Sequence, residues 1–359
     1  MENNIKNILI TGGAGFIGGN LIRRLLKKTN FNIFNLDKLS YCSDLSCINE
    51  LIKKNNISSN RYKFLNVDLS NANETEKAIR LSNPDLVMHL AAESHVDRSI
   101  ENPYNFIQSN IEGTYNLLQS SKKHWMKLSK NKKQVFKFLH ISTDEVFGSL
   151  SSSGYFTETT PYSPRSPYSA SKASSDHLVN SWHHTYGLPV VITNCSNNYG
   201  PGQFPEKLIP LTINKALAEL DIPLYGNGEN IRDWLFVEDH IDALLLIAKK
   251  GKPGEKYCVG GNNEKTNKEV VDMICELLDK KFKKSNSFKD LIKFVKDRPG
   301  HDQRYAIDAN KIKGELGWEP KYNFKEGLEI TINWYLENKK WSELIQKRSG
   351  YFGERIGSV

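Results

Sequence analysis

Ile8-Leu9-Ile10-Thr11-Gly12-Gly13-Ala14-Gly15-Phe16-Ile17-Gly18 joins a short apolar run, a cluster of glycines and the start of a second apolar pattern. The run reads as a buried strand, the glycines as a tight turn that opens a helix. Gly12, Gly15 and Gly18 fit G-x-x-G-x-x-G, while Gly13, Gly15 and Gly18 fit G-x-G-x-x-G. Both spacings let the backbone approach a pyrophosphate, and the free N–H groups of the helix start, around Phe16 and Ile17, favour the anion. About twenty residues on, Asp37 ends the next apolar run. A carboxylate there accepts hydrogen bonds from ribose hydroxyls and repels a 2′-phosphate, so the expected cofactor is NAD rather than NADP. Lys38 beside it weakens that preference slightly. Asp68, after the third strand, has two readings: a contact on the adenine side, or a cap on the next helix.

Outward from this turn, short apolar segments bounded by turn residues recur at 7–11, 31–36, 62–67, 86–90, 135–141 and 189–194. Helical stretches lie between them, among them 105–125 and 170–186. The alternation predicts an α/β fold: a Rossmann-type, doubly wound parallel sheet with helices on both faces. Such sheets bind ligands at the carboxyl ends of their strands, where Gly12, Asp37, Asp68, Ala91 and Thr143 fall. Beyond Tyr199-Gly200-Pro201-Gly202 the pattern loosens, Pro205, Pro210 and Pro223 interrupt it, and helices dominate (239–249, 267–280, 324–335). Residues 1–200 are therefore expected to form the cofactor domain and 201–359 a smaller, mostly helical substrate lobe, some of whose elements return to the sheet. The Ser-, Thr- and Pro-rich segment 149–167 reads as a loop on the substrate side.

Composition narrows the partners. With 359 residues, 38% apolar and 25% charged, the chain can bury one large core or two modest ones. No apolar run approaches the roughly 18 residues of a membrane span, and the first residues lead almost directly into a strand without a signal-peptide pattern. The five cysteines, Cys42, Cys47, Cys195, Cys258 and Cys275, make neither a disulfide framework nor a paired metal signature. The expectation is a soluble cytoplasmic protein without a metal. The net charge of +8 comes largely from lysine clusters at 122–137 and 280–284. These lack the Arg and aromatic interleaving of a base-reading surface and read as solvated helix ends, so no nucleic-acid partner is expected.

Two further stretches carry chemistry. Ser142-Thr143-Asp144-Glu145 sets two carboxyls at the end of the apolar run 136–141. Tyr168-Ser169-Ala170-Ser171-Lys172 places a phenol and an ammonium four positions apart, on one face of a helix. An acid, a base and a Tyr/Lys pair near a dinucleotide turn suit proton and hydride chemistry on a polar substrate. An Asp-Glu pair alone is more often a solvated loop pair, and Tyr-x3-Lys alone occurs by chance; their combination is the signal.

The glycine turn, Asp37 and Tyr-x3-Lys resemble the extended short-chain dehydrogenase/reductase family. More stretches fit its nucleoside-diphosphate-glucose 4,6-dehydratase branch: Leu90-Ala-Ala-Glu-Ser-His-Val-Asp-Arg-Ser99, Ser142-Thr-Asp-Glu-Val-Phe-Gly148, Tyr168-Ser-Ala-Ser-Lys-Ala-Ser-Ser-Asp176, Asn197-Asn-Tyr-Gly-Pro-Gly-Gln-Phe-Pro-Glu-Lys207, Ile231-Arg-Asp-Trp-Leu-Phe-Val-Glu-Asp-His240 and Asp297-Arg-Pro-Gly-His-Asp302. The Asp144-Glu145 pair is the specific part, since sugar-nucleotide epimerases of the superfamily lack it. The resemblance implies bound NAD, with Leu69, Ala91, Ala92 and Ser109 completing its contacts. Its implied chemistry oxidises C4 of the glucose with Tyr168 as base, Thr143 on the same hydroxyl, and Lys172 with the cationic nicotinamide in electrostatic support. A phenolate at neutral pH needs a shift of roughly three units, about 4 kcal/mol. Glu145 then takes the C5 proton, protonated Asp144 donates to the departing C6 hydroxyl, and hydride returns to C6. The product is a 4-keto-6-deoxy sugar.

Ser94, Asn197, Lys207, Leu208, Tyr225, Arg232, Asn267, Arg298 and His301 are implied around the nucleotide and sugar. Arg232 and Arg298 are suited to the diphosphate, Arg232 having an ion pair with Asp233 as its alternative. His95 and Asp97 read as supporting residues. The implied substrate is dTDP-glucose, with UDP-glucose as alternative; a 4-epimerase or a non-catalytic NAD-binding scaffold is the deeper rival. Helices 105–125 and 170–186 resemble the family's dimer-forming pair, which implies a homodimer. Ser109, Gly19 and Phe147 depart from common family residues, and Tyr41-Cys42-Ser43-Asp44 at the adenosine edge is less familiar.

Overall fold

A computed structural model describes residues 5–354 and 356. Among the described residues twelve strands follow in chain order: β1 (Asn7–Thr11), β2 (Asn32–Asp37), β3 (Tyr62–Asn66), β4 (Leu86–His89), β5 (Lys137–Thr143), β6 (Val190–Cys195), β7 (Asn197–Tyr199), β8 (Ile222–Tyr225), β9 (Ile231–Phe236), β10 (Lys256–Val259), β11 (Glu264–Thr266) and β12 (Ile292–Val295). Seven form one sheet in the order β10-β6-β5-β4-β1-β2-β3, every pairing parallel. The order reverses between β1 and β4, which opens a crevice at their carboxyl ends. Burial on both faces explains the unbroken apolar runs: Ile8, Leu9 and Ile10 are inaccessible to solvent, as are Leu86, Val87 and Met88. This is the expected doubly wound α/β architecture.

The second half of the chain builds a lobe with its own core, in which Ile213, Ile222, Val270, Ile274, Leu328 and Ile332 are fully buried. It holds helices Leu208–Leu217, Asn267–Phe282 and Phe324–Glu337, and also the small sheets β11-β9-β7 and β12-β8. One element does return: β10 pairs with β6 and completes the large sheet. The preceding helix Val237–Lys250 buries Ile241, Leu244 and Ile247 in the same core as Ile8 and Leu21.

Two helices differ informatively from expectation. Helix Pro167–Tyr186 starts before residue 170 because Ser166 and Ser169 form a reciprocal cap and Pro167 occupies the first turn. Tyr168 is therefore held in a capped helix start. The stretch expected as one helix over 105–125 is instead Pro103–Phe106, a π-helical segment Ile107–Glu112, and Gly113–Lys127. The Asn110 carbonyl accepts the Ser175 hydroxyl at 2.6 Å and also that of Thr114, so side chains hold an oxygen that would serve the α-helical ladder.

Candidate active site

The crevice continues into two adjoining cavities of about 290 and 250 Å³ that share Glu145, Asn197, Gln203, Glu206 and Lys207. The first is lined by Gly12, Gly15, Phe16, Ile17, Gly18, Asp37, Lys38, Asp68, Leu69, Ala91, Ala92 and Ser109 at one end, and by Thr143, Asp144, Glu145, Tyr168 and Lys172 at the other. The second is lined by Asn197, Lys207, Leu208, Tyr225, Arg232, Asn267, Arg298 and His301, while Ser94 stands on the wall of the first. The structure thus gathers residues from both halves of the chain around one cleft.

The glycine turn fits a dinucleotide. Gly12 has φ +71°, and a Cβ on it would lie 2.7 Å from the Ala91 nitrogen. Gly15 caps helix Phe16–Lys28 in extended backbone without a side-chain partner, so the first N–H groups of that helix face the cavity. Asp37 organises the turn as well as lining it: its carboxylate accepts from the Ala14 and Leu39 amides, at 3.0 and 2.8 Å, and from the Ser43 hydroxyl at 2.9 Å. The cap on the next helix is Asn71, which accepts from the Glu74 amide at 3.1 Å, so Asp68 is left with the cavity. It lines the cavity, and one oxygen accepts from the Ser70 amide and hydroxyl, each at 2.9 Å, ahead of helix Ala72–Ser82. Lys38 reaches Glu93 at 3.2 Å and Asp68 at 4.0 Å. Ser142 Oγ, Asn197 Oδ1 and Asp144 Oδ2 belong to residues lining the same cavity and have no hydrogen-bond partner among the described residues. A bound dinucleotide and sugar would satisfy such atoms. NAD therefore fits the donor set.

At the reacting end, β5 delivers Thr143, and Asp144–Phe147 turns away as a short 3₁₀ helix started by the Thr143 hydroxyl on the Glu145 amide, 3.3 Å. Asp144 is 1% exposed. Burial pushes its carboxyl well above the usual range, and the charges of Glu145 and Asp233 push the same way; Arg232 and the Thr143 hydroxyl oppose them. The shift in Glu145 is also upward and comes from burial, against the pull of Arg298, Lys207 and Arg232. One proton is thus most firmly held on Asp144, while three cations favour charge on Glu145.

The Tyr168 phenol stands well above its ordinary pKa, through burial first and then the charges of Glu145 and Cys195. The opposing help expected for a phenolate comes from Lys172, whose ammonium donates to the Ile141 carbonyl at 2.9 Å, together with the cationic nicotinamide.

The cationic wall is specific. Arg298 pairs with Asp97 at 2.8 Å, and Tyr225 donates to the same carboxylate at 3.1 Å. Arg232 donates to the Ile231 and Asp302 carbonyls, at 2.7 and 2.9 Å, and lies over the Tyr305 ring. It does not pair with Asp233, since neighbouring side chains on β9 point to opposite faces. Asp233 instead accepts from the Gly261 and Asn263 amides, at 2.9 and 2.8 Å. Burial and the two arginines lower His301 to about 4, against its 2.7 Å contact with Asp297, so the ring is neutral near pH 7.

Glu206 was missed by sequence reasoning. It is buried where the two cavities meet and accepts from Arg98 at 3.0 Å and Tyr41 at 2.7 Å, with His95 Nε2 at 3.8 Å. Tyr41 is 165 residues away in sequence, so spacing carried no hint, although Glu206 lies inside a recognised stretch. Tyr351, also unforeseen, lines the second cavity near the chain end.

Comparison with known proteins agrees with this cleft. A family model described as GDP-mannose 4,6 dehydratase matches residues 9–331. A dTDP-glucose 4,6-dehydratase of Escherichia coli is 52% identical over 365 residues, covering 98% of this chain and 99% of that protein. The crystal structure of a dTDP-glucose 4,6-dehydratase from Bacillus anthracis in complex with NAD superposes with TM-score 0.82 at 44% identity, covering 95% of this chain and 99% of that one. A UDP-glucose 4-epimerase from Thermus thermophilus, also with NAD, reaches 0.79 at only 28% identity, over 92% of this chain and 99% of its own.

Proposed function

Because the chain belongs to the GDP-mannose 4,6 dehydratase family of nucleotide-sugar dehydratases, we infer that it is an NAD-dependent hydro-lyase converting dTDP-glucose to the 4-keto-6-deoxy sugar. The observation that carries this reading is the lining of one cavity by Asp144, Glu145, Tyr168 and Lys172, with burial holding the proton on Asp144. An epimerase needs the phenol and the ammonium but has no use for the paired carboxyls.

NAD, when bound, supplies a hydride acceptor and donor and a positive ring near Tyr168. Tyr168 receives the proton of the C4 hydroxyl, which Thr143 holds by a hydrogen bond. The C4 ketone acidifies the C5 proton, and Glu145, whose charge three neighbouring cations support against burial, removes it. Asp144 gives its proton to the C6 hydroxyl, which leaves as water. Two carboxyls in one dry site with unequal affinity for protons are suited to these complementary roles. Arg232, Arg298 and Lys207 provide positive charge for the diphosphate.

No helix among the described residues is long and apolar enough to cross a membrane. We place the protein in the cytoplasm as a homodimer. Supporting this, Tyr104, Ile107, Tyr115 and Tyr186 are exposed on the segments 103–127 and 167–186, and the cysteines are free. Light scattering giving the mass of one subunit would remove the dimer.

The decisive experiment incubates purified protein with dTDP-glucose and UDP-glucose separately and reads mass and turnover. Loss of one water from dTDP-glucose is expected. UDP-glucose should react less efficiently, by the about 1–3 kcal/mol that an apolar pocket gains from one methyl. Turnover with unchanged mass would select the epimerase, and no turnover of either would defeat the reading.

A further inference from the structure

Beneath Tyr168 and Lys172 lies a buried carboxylate that the reaction above does not use. Asp176 follows Lys172 by one turn of helix Pro167–Tyr186 and is 1% exposed. Three neighbours satisfy it: Tyr162 donates at 2.8 Å, His140 Nε2 at 3.1 Å and Asn194 Nδ2 at 3.2 Å. Asn194 Nδ2 also donates to the Thr143 carbonyl at 3.1 Å, which ties this carboxylate to the strand end carrying Thr143 and Asp144. We propose that Asp176 is a positioning residue for the dehydration: it is the counter-charge that keeps the Lys172 ammonium protonated at the buried wall of the cavity, and through Asn194 it fixes the end of β5. The proposal rests on the assignment of Tyr168 and Lys172 to the hydride step and deepens it.

Lys172 is 4% exposed, and an ammonium so placed is costly unless paired. Its direct hydrogen bond goes to a neutral carbonyl, that of Ile141. The groups facing it are Asp176 on its own helix, Cys195 on β6, His140 on β5, His89 on β4 and Tyr168 one turn earlier. The two histidines are held neutral by burial, and Lys172 reinforces this. Burial pushes both cysteine and phenol towards their neutral forms. Asp176 is the group in this set that stays ionised: burial opposes its charge, but His140, Lys172 and Tyr162 outweigh that and hold it below the usual carboxylate range. Neutral His140 then donates from Nε2, a tautomer assigned from its carboxylate partner. One buried positive charge thus meets one buried negative charge about a helical turn away.

The sign of the effect follows. Burial lowers the Lys172 pKa and Asp176 raises it, so removing the carboxylate makes Lys172 lose its proton at lower pH. The test measures the alkaline limb of kcat against pH for Asp176→Asn and Tyr162→Phe beside the wild type. Asp176→Asn should move that limb down by about one pH unit or more, whereas Tyr162→Phe, which leaves the charge, should leave it in place. A limb that does not move in Asp176→Asn overturns the proposal. Stability supplies a second arm that needs no turnover. In a thermal double-mutant cycle, Lys172→Met and Asp176→Asn should each be destabilising alone, and the double variant should recover much of the loss. If Asp176→Asn alone does not fold, the double variant must; one that is equally unfolded, or purely additive losses, overturns the proposal. Failure of the wild type to dehydrate dTDP-glucose would instead strike the reaction assignment and leave the cycle readable.

Discussion

At the glycine turn the protein offers main-chain groups: amides at the start of helix Phe16–Lys28, a left-handed Gly12, and Asp37 bound to the turn's own N–H groups. At the sugar end it offers side chains whose charges would be costly alone, with Asp144 and Glu145 facing Arg232, Arg298 and Lys207. The first end recognises by shape, and its parts lie within one β-α-β unit. The second works by unequal proton affinity, and its parts come from β5, helix Pro167–Tyr186, β9 and the loop after β12. A shape site breaks when an atom is added; a charge site breaks when a charge is removed.

The largest expected effect tests the first half of that contrast. A Cβ on Gly18 would press on the Gly12 carbonyl oxygen and lie 2.8 Å from the Gly13 Cα, and both obstacles are backbone. Gly18→Ala should yield protein without bound nicotinamide and with activity lower by more than about 10³-fold, the main-chain approach to pyrophosphate being lost. Full cofactor content, measured by absorbance after denaturation, would show that the turn tolerates bulk.

This contrast also explains what the sequence disclosed. Six of the seven strands of the large sheet, the glycine turn and Asp37 are local patterns, so they were legible with small errors at the ends; β10, which returns from the second lobe to pair with β6, was not. The start of helix Pro167–Tyr186 was placed late because the Ser166/Ser169 cap uses a serine where a Glu or Gln is the usual signal. The π-helical segment was invisible, since it depends on Ser175 reaching across to the Asn110 carbonyl. The substrate residues came into view through resemblance rather than spacing. What neither supplied was Glu206, whose partners Tyr41 and Arg98 meet it only in the folded chain, and the burial that raises the Tyr168 phenol.

The charge end should respond next most strongly. Glu145→Gln should reduce turnover by about 10²–10⁴-fold, the range for loss of a general base, yet still oxidise C4 and accumulate reduced nicotinamide absorbing in the near ultraviolet. Prompt full turnover would take Glu145 out of the proton step. Asp144→Asn sharpens the comparison through stability. The folded pKa of Asp144 is raised, so its contribution is present below the unfolded carboxyl pKa and is lost as pH rises through the folded value. The variant should therefore be slower in dehydration but melt higher at pH 7.5, by about 1–3 °C. A lower melting temperature would mean that Asp144 is ionised and paired at neutral pH.

The smallest effect lies where the two kinds of site meet, at Lys38. In sequence its charge beside Asp37 argued mildly against NAD, because an ammonium there suits a 2′-phosphate. In the structure that ammonium is engaged by Glu93 at 3.2 Å and stands 4.0 Å from Asp68, so two carboxylates already compete for it. The Lys38 side chain is one-third exposed, at 33%, and such pairs contribute about 0–1 kcal/mol. Lys38→Ala should accordingly change the affinity for NAD by less than about fivefold and leave NADP a poor ligand, read by calorimetry on protein freed of cofactor. Should NADP bind comparably to NAD in the wild type and lose that affinity in Lys38→Ala, the adenosine edge would belong with the charge-built end of the cleft, and Asp37 would be chiefly the clamp of the glycine turn.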